Sequence, residues 1–311
     1  MIQEILNIQY PVIQGGMAWI SDASLAAAVS NAGGLGVIAC GNAPGSYVRE
    51  QIQKIRKLTD KPYGLNVMLL SPYVEEVALI ATEEKVPVVI TGAGDPSRFI
   101  KEWQNNGTRV IPVVASVALA KRMVRLGVDA IIAEGGEAGG HVGELNTMTL
   151  VPAVVDAIDL PVIAAGGIFD ARGVLASFAL GAVGVQVGTR FILAEECTVH
   201  ENYKKKVMKA KDIDSFVTGR NTGHPVRVLR NPLSKELKKM DQAGKNAEEI
   251  ETYSAGSLYR AAIEGDMKTG SFMAGQCACM VSEIEPAAKI LESLLALSEP
   301  FAQLKKQVEA L

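Results

Sequence analysis

The sequence predicts an α/β protein of the (β/α)8 TIM-barrel class with a small helical insertion lobe. Three observations carry the prediction. Short β-prone apolar runs recur eight times before residue 190, amphipathic stretches of helical periodicity fill the intervals, and glycines gather immediately after several runs.

In order, the runs are 11–14, 36–39, 63–68, 87–91, 110–114, 130–133, 161–165 and 184–187. Their near-continuous Val, Ile and Ala, with little polar alternation, suits a parallel sheet covered on both faces. Stretches 22–31, 44–58, 117–126 and 171–180 carry apolar residues at helical spacing and belong on the outside. An open dinucleotide-binding sheet is disfavoured. No G-x-G-x-x-G follows a run, and Gly92, Ala93, Gly94, Asp95 and Pro96 break that pattern.

After Arg190 the regularity ends. The stretch to about Glu264 is Lys-rich and helix-prone, with a turn-rich interruption at 218–232. The expected division is therefore a barrel from 1–199 and 265–311, and a basic helical lobe at 200–264 covering its mouth. The tail, 286–311, has helical periodicity that would complete the outer ring.

Composition narrows the function classes. The chain has 311 residues, 48% of them hydrophobic, enough for a sizeable core. Its net charge of −3 argues against nucleic acid as the main partner. Yet 201–245 holds twelve basic residues against five acidic ones, so it carries +7 and the remainder −10. No apolar run is long enough for a membrane span, and the first ten residues lack a signal-peptide pattern, so a cytoplasmic protein is expected. Cys40, Cys197, Cys277 and Cys279 offer one C-x-C pair and no second pair for zinc, which reads as reduced thiols and no metal site. H-E-x-x-H, G-x-S-x-G and G-x-x-x-x-G-K-[ST] are absent.

In such a barrel the chemistry lies at the C-terminal strand ends. After the first run come Gly15, Gly16, Met17 and Ala18; after the sixth, Glu134 and then Gly135 through Gly139, Gly140 and His141; after the seventh, Gly166 and Gly167; after the eighth, Gly188 and Thr189. The last two turns occupy the usual phosphate position, although tight βα turns alone would use the same glycines. Asn66 stands inside the third run, where its amide meets either a planar heterocycle or neighbouring backbone. Gln14 and Glu134 pose the same question. His141, in a mouth loop, can orient a carbonyl or give up a proton near neutrality. His224 is a weaker candidate, and His200 reads as a surface residue.

Gln14-Gly15-Gly16-Met17-Ala18-Trp19, Asn31-Ala32-Gly33-Gly34-Leu35-Gly36, Gly64-Leu65-Asn66-Val67, Glu134 through His141, Ala164-Ala165-Gly166-Gly167-Ile168 and Gln186-Val187-Gly188-Thr189-Arg190-Phe191 together resemble the nitronate monooxygenase and enoyl-reductase II superfamily of FMN barrels. The likeness runs essentially end to end. Its specific part is Glu-Ala-Gly-Gly-His at 137–141; Ala-Ala-Gly-Gly-Ile recurs in many phosphate-binding barrels. Segments 45–60, 66–72, 223–227 and 270–276, the last containing Met273, resemble the enoyl-reductase branch.

The resemblance implies FMN held by Gly15, Gly16, Met17, Ala18, Asn66, Glu134, Gly139, Gly140, Gly166, Gly167, Gln186, Gly188, Thr189 and Met273. It implies NADH or NADPH as electron donor, a monovalent cation as a further cofactor, and His141 as the catalytic histidine. The implied reaction is reduction of a trans-2-enoyl thioester carried on acyl carrier protein, the last step of bacterial fatty-acid elongation. That acidic carrier could dock on 201–245, and a homodimer is the expected assembly. Glu134 departs from nitronate-oxidising relatives, which tend to carry Gln there; nitronate oxidation stays as the alternative. A non-redox phosphate-binding barrel or lyase is a more distant one.

Overall fold

The computed structural model describes residues 1–310. Eight parallel strands form the barrel: β1 (Val12–Gln14), β2 (Gly36–Ala39), β3 (Tyr63–Met68), β4 (Val88–Gly92), β5 (Arg109–Val114), β6 (Ile131–Glu134), and, after a two-residue strand β7 (Gly140–His141), β8 (Val162–Ala165) and β9 (Gly184–Val187). Each pairs with its sequence neighbour around the ring, and β1 pairs with β9. Closure occurs between β1 and β2, where Gln14 N–H donates to Leu35 O at 2.9 Å and Leu35 N–H to Val12 O at 2.9 Å.

Strand alternation divides the core in two. Ile13, Val37, Ile90, Ile111, Ile132 and Ile163 fill the barrel interior, where Ile2 and Leu6 of the N-terminal helix Ile2–Leu6 join them. Val12, Ile38, Leu65, Val89 and Ala133 face outward and pack on the helices. Three of those helices start where short polar side chains cap them: Asp22 accepts from Ser24 and Leu25 N–H, Ser116 from Leu119, and Asp170 from Arg172 and Gly173. The eighth outer helix is Ala287–Leu294, packed against Ala23–Asn31 and Ala171–Ala179. The last helix, Ser298–Glu309, buries none of its residues.

The insertion between β9 and that eighth helix differs from the expected helical stretch. Its turn-rich interruption is a β-hairpin, β10 (Ser215–Thr218) against β11 (Val226–Leu229), and β11 continues the sheet onto β7. The alternating Val226-Arg227-Val228-Leu229 buries three of its four side chains, which favours strand over helix. Helix Glu201–Met208, at the start of the basic stretch, seats Tyr203 and Val207 in the main core, and Tyr203 packs on Phe272 at 4.9 Å between ring centroids.

Candidate active site

A cavity of about 1240 Å³ opens at the C-terminal strand ends, between the barrel and the insertion. The alternation that fills the interior also builds its floor. In register, Gln186 pairs with Ile13, Asn66 with Ile90 and Glu134 with Ala165, so all three polar side chains take inward positions beside the interior cluster. Gly15, Gly16, Met17, Ala18, Gly139, Gly140, His141, Gly166, Gly167, Gly188, Thr189 and Met273 complete the wall with Asn66, Glu134 and Gln186. Apart from Gln14, the strand-end candidates thus share one cavity.

One end is built of backbone. Gly166 (φ 101°) and Gly167 (φ 73°) adopt the left-handed region that only glycine enters freely. The amides of Gly166, Gly167, Gly188 and Thr189 meet no backbone acceptor among the described residues. Such a cluster of N–H groups suits an anion. Thr189 is held by its Oγ1, which accepts from Gly275 N–H at 2.9 Å. Nearby, Gln186 Oε1 is buried without a hydrogen-bond partner, an arrangement that calls for a donor from a ligand. FMN, with a phosphate at one end and ring N–H at the other, fits this donor and acceptor set.

Two glycines have packing reasons as well. A Cβ on Gly16 would lie 2.7 Å from Asn66 Cγ, and one on Gly139 would lie 2.6 Å from the Ala274 carbonyl carbon. Gly139 therefore lets the 271–277 segment close against the loop, rather than serving only ligand approach. Gln14 differs from the other candidates. It is fully buried, donates from Nε2 to Gly15 O and to Ser21 Oγ at 2.8 Å, and accepts from Val37 N–H at 3.0 Å. Its amide braces the β1–β2 seam and is not available to a heterocycle.

The titratable groups divide by environment. Burial pushes the Glu134 carboxyl up to about 7, with no opposing charge to hold it ionised. His141 is exposed at the mouth, yet the desolvating cavity walls around it, and then the neighbouring His224, push it below the usual imidazole value. The two rings lie 6.5 Å apart, edge to face, because β7 and β11 pair through His141 and Val226. His200 is structural: its Nδ1 accepts from Asn202 N–H at 3.1 Å at a helix start.

Sequence reasoning missed Arg227. Its Nε donates to Gly136 O at 2.9 Å, pinning the glycine loop to the insertion, and its place in an alternating strand was the available signal. It also missed a contact across the mouth: Trp19, at φ 63°, meets Tyr259 of the insertion edge to face at 4.9 Å and Tyr47 at 5.5 Å. A bulky residue in the left-handed region costs on the order of 1–2 kcal/mol, so its surroundings hold it there.

Comparison with known proteins places these features in a family. The nitronate monooxygenase family matches residues 1–78 and 71–296. FabK from Thermotoga maritima superposes with a TM-score of 0.95 at 47% identity, covering 98% of each chain. A (3aS,4S,5R,7aS)-5-hydroxy-7a-methyl-1-oxo-octahydro-1H-indene-4-carboxyl-CoA dehydrogenase of Rhodococcus jostii is 37% identical over 236 residues, 76% of this chain and 67% of that one. A probable nitronate monooxygenase of Staphylococcus saprophyticus is 34% identical over 284 residues, 76% of this chain and 80% of that one. With matches spanning nearly its whole length, the chain belongs to the nitronate monooxygenase family.

Proposed function

We propose that the chain is an FMN-dependent enoyl-acyl carrier protein reductase, using NADH or NADPH to reduce trans-2-enoyl thioesters. The observation that carries this reading is the likeness to FabK over 98% of both chains. The Rhodococcus relative, named for a carboxyl-CoA compound, adds that a thioester substrate lies within the family's range. The same reading takes 1–199 and 265–311 as the FMN-binding barrel and 200–264 as the lobe over its mouth.

When bound, FMN supplies hydride transfer between the nicotinamide and the thioester's β-carbon. The chain's residues do the rest. The amides of Gly166, Gly167, Gly188 and Thr189 would hold the phosphate, and Gln186, Asn66 and Glu134 would supply polar partners for the ring. His141, neutral at pH 7, donates N–H to the thioester oxygen as negative charge gathers there. A neutral imidazole is a poor acid, so we assign His141 to positioning and charge stabilisation, with water delivering the α-carbon proton. The carrier protein approaches the basic insertion. Lys204 is not part of that surface, since its Nζ donates to Ala194 O at 2.6 Å; Lys235 and Lys238 are exposed on helix Pro232–Gln242, whose Leu237 lines the cavity.

Nitronate oxidation remains the second reading, supported by the family match and the staphylococcal relative. The acid at Glu134 separates the two less sharply than charge alone suggests, because a carboxyl near 7 is protonated about half the time at neutrality and then donates as Gln does. Anaerobic reduction by NADH followed by crotonyl thioester decides between them. Prompt reoxidation supports the reductase; a protein reduced by nitronates and not by NADH is the oxidase.

A further inference from the structure

The cavity has two unlike sides. Near His141 the insertion contributes Thr218, Thr222 and His224 beside Val226 and Val228, a wall of mixed polarity. Across the mouth, the loops after β1 and β3 and the insertion's last short helix line the cavity with Trp19, Leu70, Leu258 and Tyr259, of which Trp19 and Tyr259 touch, with Leu70 53% and Tyr259 39% exposed. No lysine or arginine lines the cavity among the described residues. The apolar side therefore has no cation for a phosphorylated or carboxylated group, and its surface suits an aliphatic one.

The insertion meets the mouth loops on two sides, the sixth-strand side being held also by Arg227 Nε to Gly136 O and Arg220 to Glu144. That side carries the backbone ladder from β11 to β7, beyond the sixth barrel strand. The other carries the side-chain contact of Trp19 with Tyr259, beyond the first, three steps away around the eight-stranded ring. Ladder bonds fix position; an edge-to-face ring contact can part without breaking a hydrogen bond. Trp19 stands on irregular backbone, and Tyr259 on a short helical turn bounded by irregular backbone. Trp19 has positive φ, and Tyr259 lies between Gly256, at φ 68°, and a π-helical turn, Arg260–Glu264.

We infer that Trp19 and Tyr259 form an aromatic gate at the apolar end of the cavity, and that it closes on the aliphatic tail of an acyl thioester. The inference rests on the reductase reading for its ligand. With the thioester carbonyl at His141, the tail crosses to Leu258 and Leu70 and ends against the paired rings, so the gate sets the length of chain that gains from burial.

A chain-length series tests it. With butenoyl to dodecenoyl thioesters, wild-type kcat/KM rises and then levels once the tail reaches the gate. In Tyr259→Ala the rise continues, by about fourfold for each further buried methylene, while Tyr259→Phe keeps the wild-type profile. Parallel profiles in wild type and Tyr259→Ala overturn the gate. A second measurement needs no turnover: the emission of Trp19, obtained as the difference between wild type and Trp19→Phe because Trp103 is fully buried, shifts to the blue with long saturated acyl thioesters and not with short ones. Equal shifts for short and long chains reject the proposal. A protein that shows the length-dependent shift yet reduces no enoyl thioester retains the gate and loses the reductase reading.

Discussion

The imidazole of His141 meets that of His224 edge to face, with the ring centroids 6.5 Å apart and both side chains at the cavity wall. A protonated His224 makes a second positive charge beside it unfavourable, and burial acts in the same direction. Replacing His224 with Gln removes one of the two causes. The His141 titration, followed by NMR of its ring protons, should then move upward, with the acid limb of kcat/KM moving the same way. An unmoved midpoint would show that burial alone sets it.

His141→Ala should retain flavin, because FMN is assigned to other residues, and should lower kcat/KM for enoyl thioesters by about 10²–10³-fold, the usual loss of one charge-stabilising donor. Flavin absorbance and steady-state reduction measured on one preparation check this. Normal turnover would remove His141 from the chemistry.

Glu134 makes the flavin-free protein sensitive to pH. Its folded pKa of about 7 lies above the ordinary value of 4.5, so the folded state holds the proton more tightly. Stability is therefore gained as pH falls from about 7 toward 4.5 and lost as it rises, by at most about 3 kcal/mol. Urea midpoints at pH 5.5 and 7.5 should differ in wild type and converge in Glu134→Gln. A wild type whose midpoint is higher at pH 7.5 would contradict the sign.

Gly16 is held to glycine by Asn66. Gly16→Ala places a methyl against the Asn66 side chain and should destabilise by about 1–3 kcal/mol while weakening flavin retention. Asn66→Gly in the same chain should recover stability and not flavin affinity, since the amide is lost. Thermal melts and flavin absorbance read the two separately; a destabilised double variant would place the conflict elsewhere.

Charge reversal at Lys235 and Lys238 should raise KM for carrier-bound enoyl substrates several-fold at low salt and leave coenzyme A thioesters unchanged. An equal effect on both substrates would reject docking on that helix. Lys204→Glu is a different experiment, expected to lower the melting temperature through the lost bond to Ala194 O.

The barrel strands were legible because each is a short Val- and Ile-rich run bounded by turn residues, and the observed strands start and stop within one residue of those runs. Which strand-end side chains enter the cavity was legible only through the family resemblance, which implied Asn66, Glu134 and Gln186, and not through the strand pattern. Gln14 and Gln186 look alike in sequence, yet register pairs Gln186 with inward Ile13 and Gln14 with outward Val187. Three- and four-residue strands carry too little alternation to reveal which parity faces in. The hairpin Ser215–Thr218 and Val226–Leu229 was hidden for another reason: its Lys-rich flanks favour helix, and its pairing partner is a remote loop. Trp19 and Tyr259 are 240 positions apart, and nothing local to either announces the other.

The ladder between β7 and β11 has a consequence for how this fold can diversify. Val226 of the insertion is the direct backbone partner of His141. A graft that replaces the insertion therefore also replaces the strand against which the imidazole is registered. Ligand range and histidine placement are inherited together, so transplanting a foreign insertion should succeed only when 140–141 and 226–227 travel as one unit.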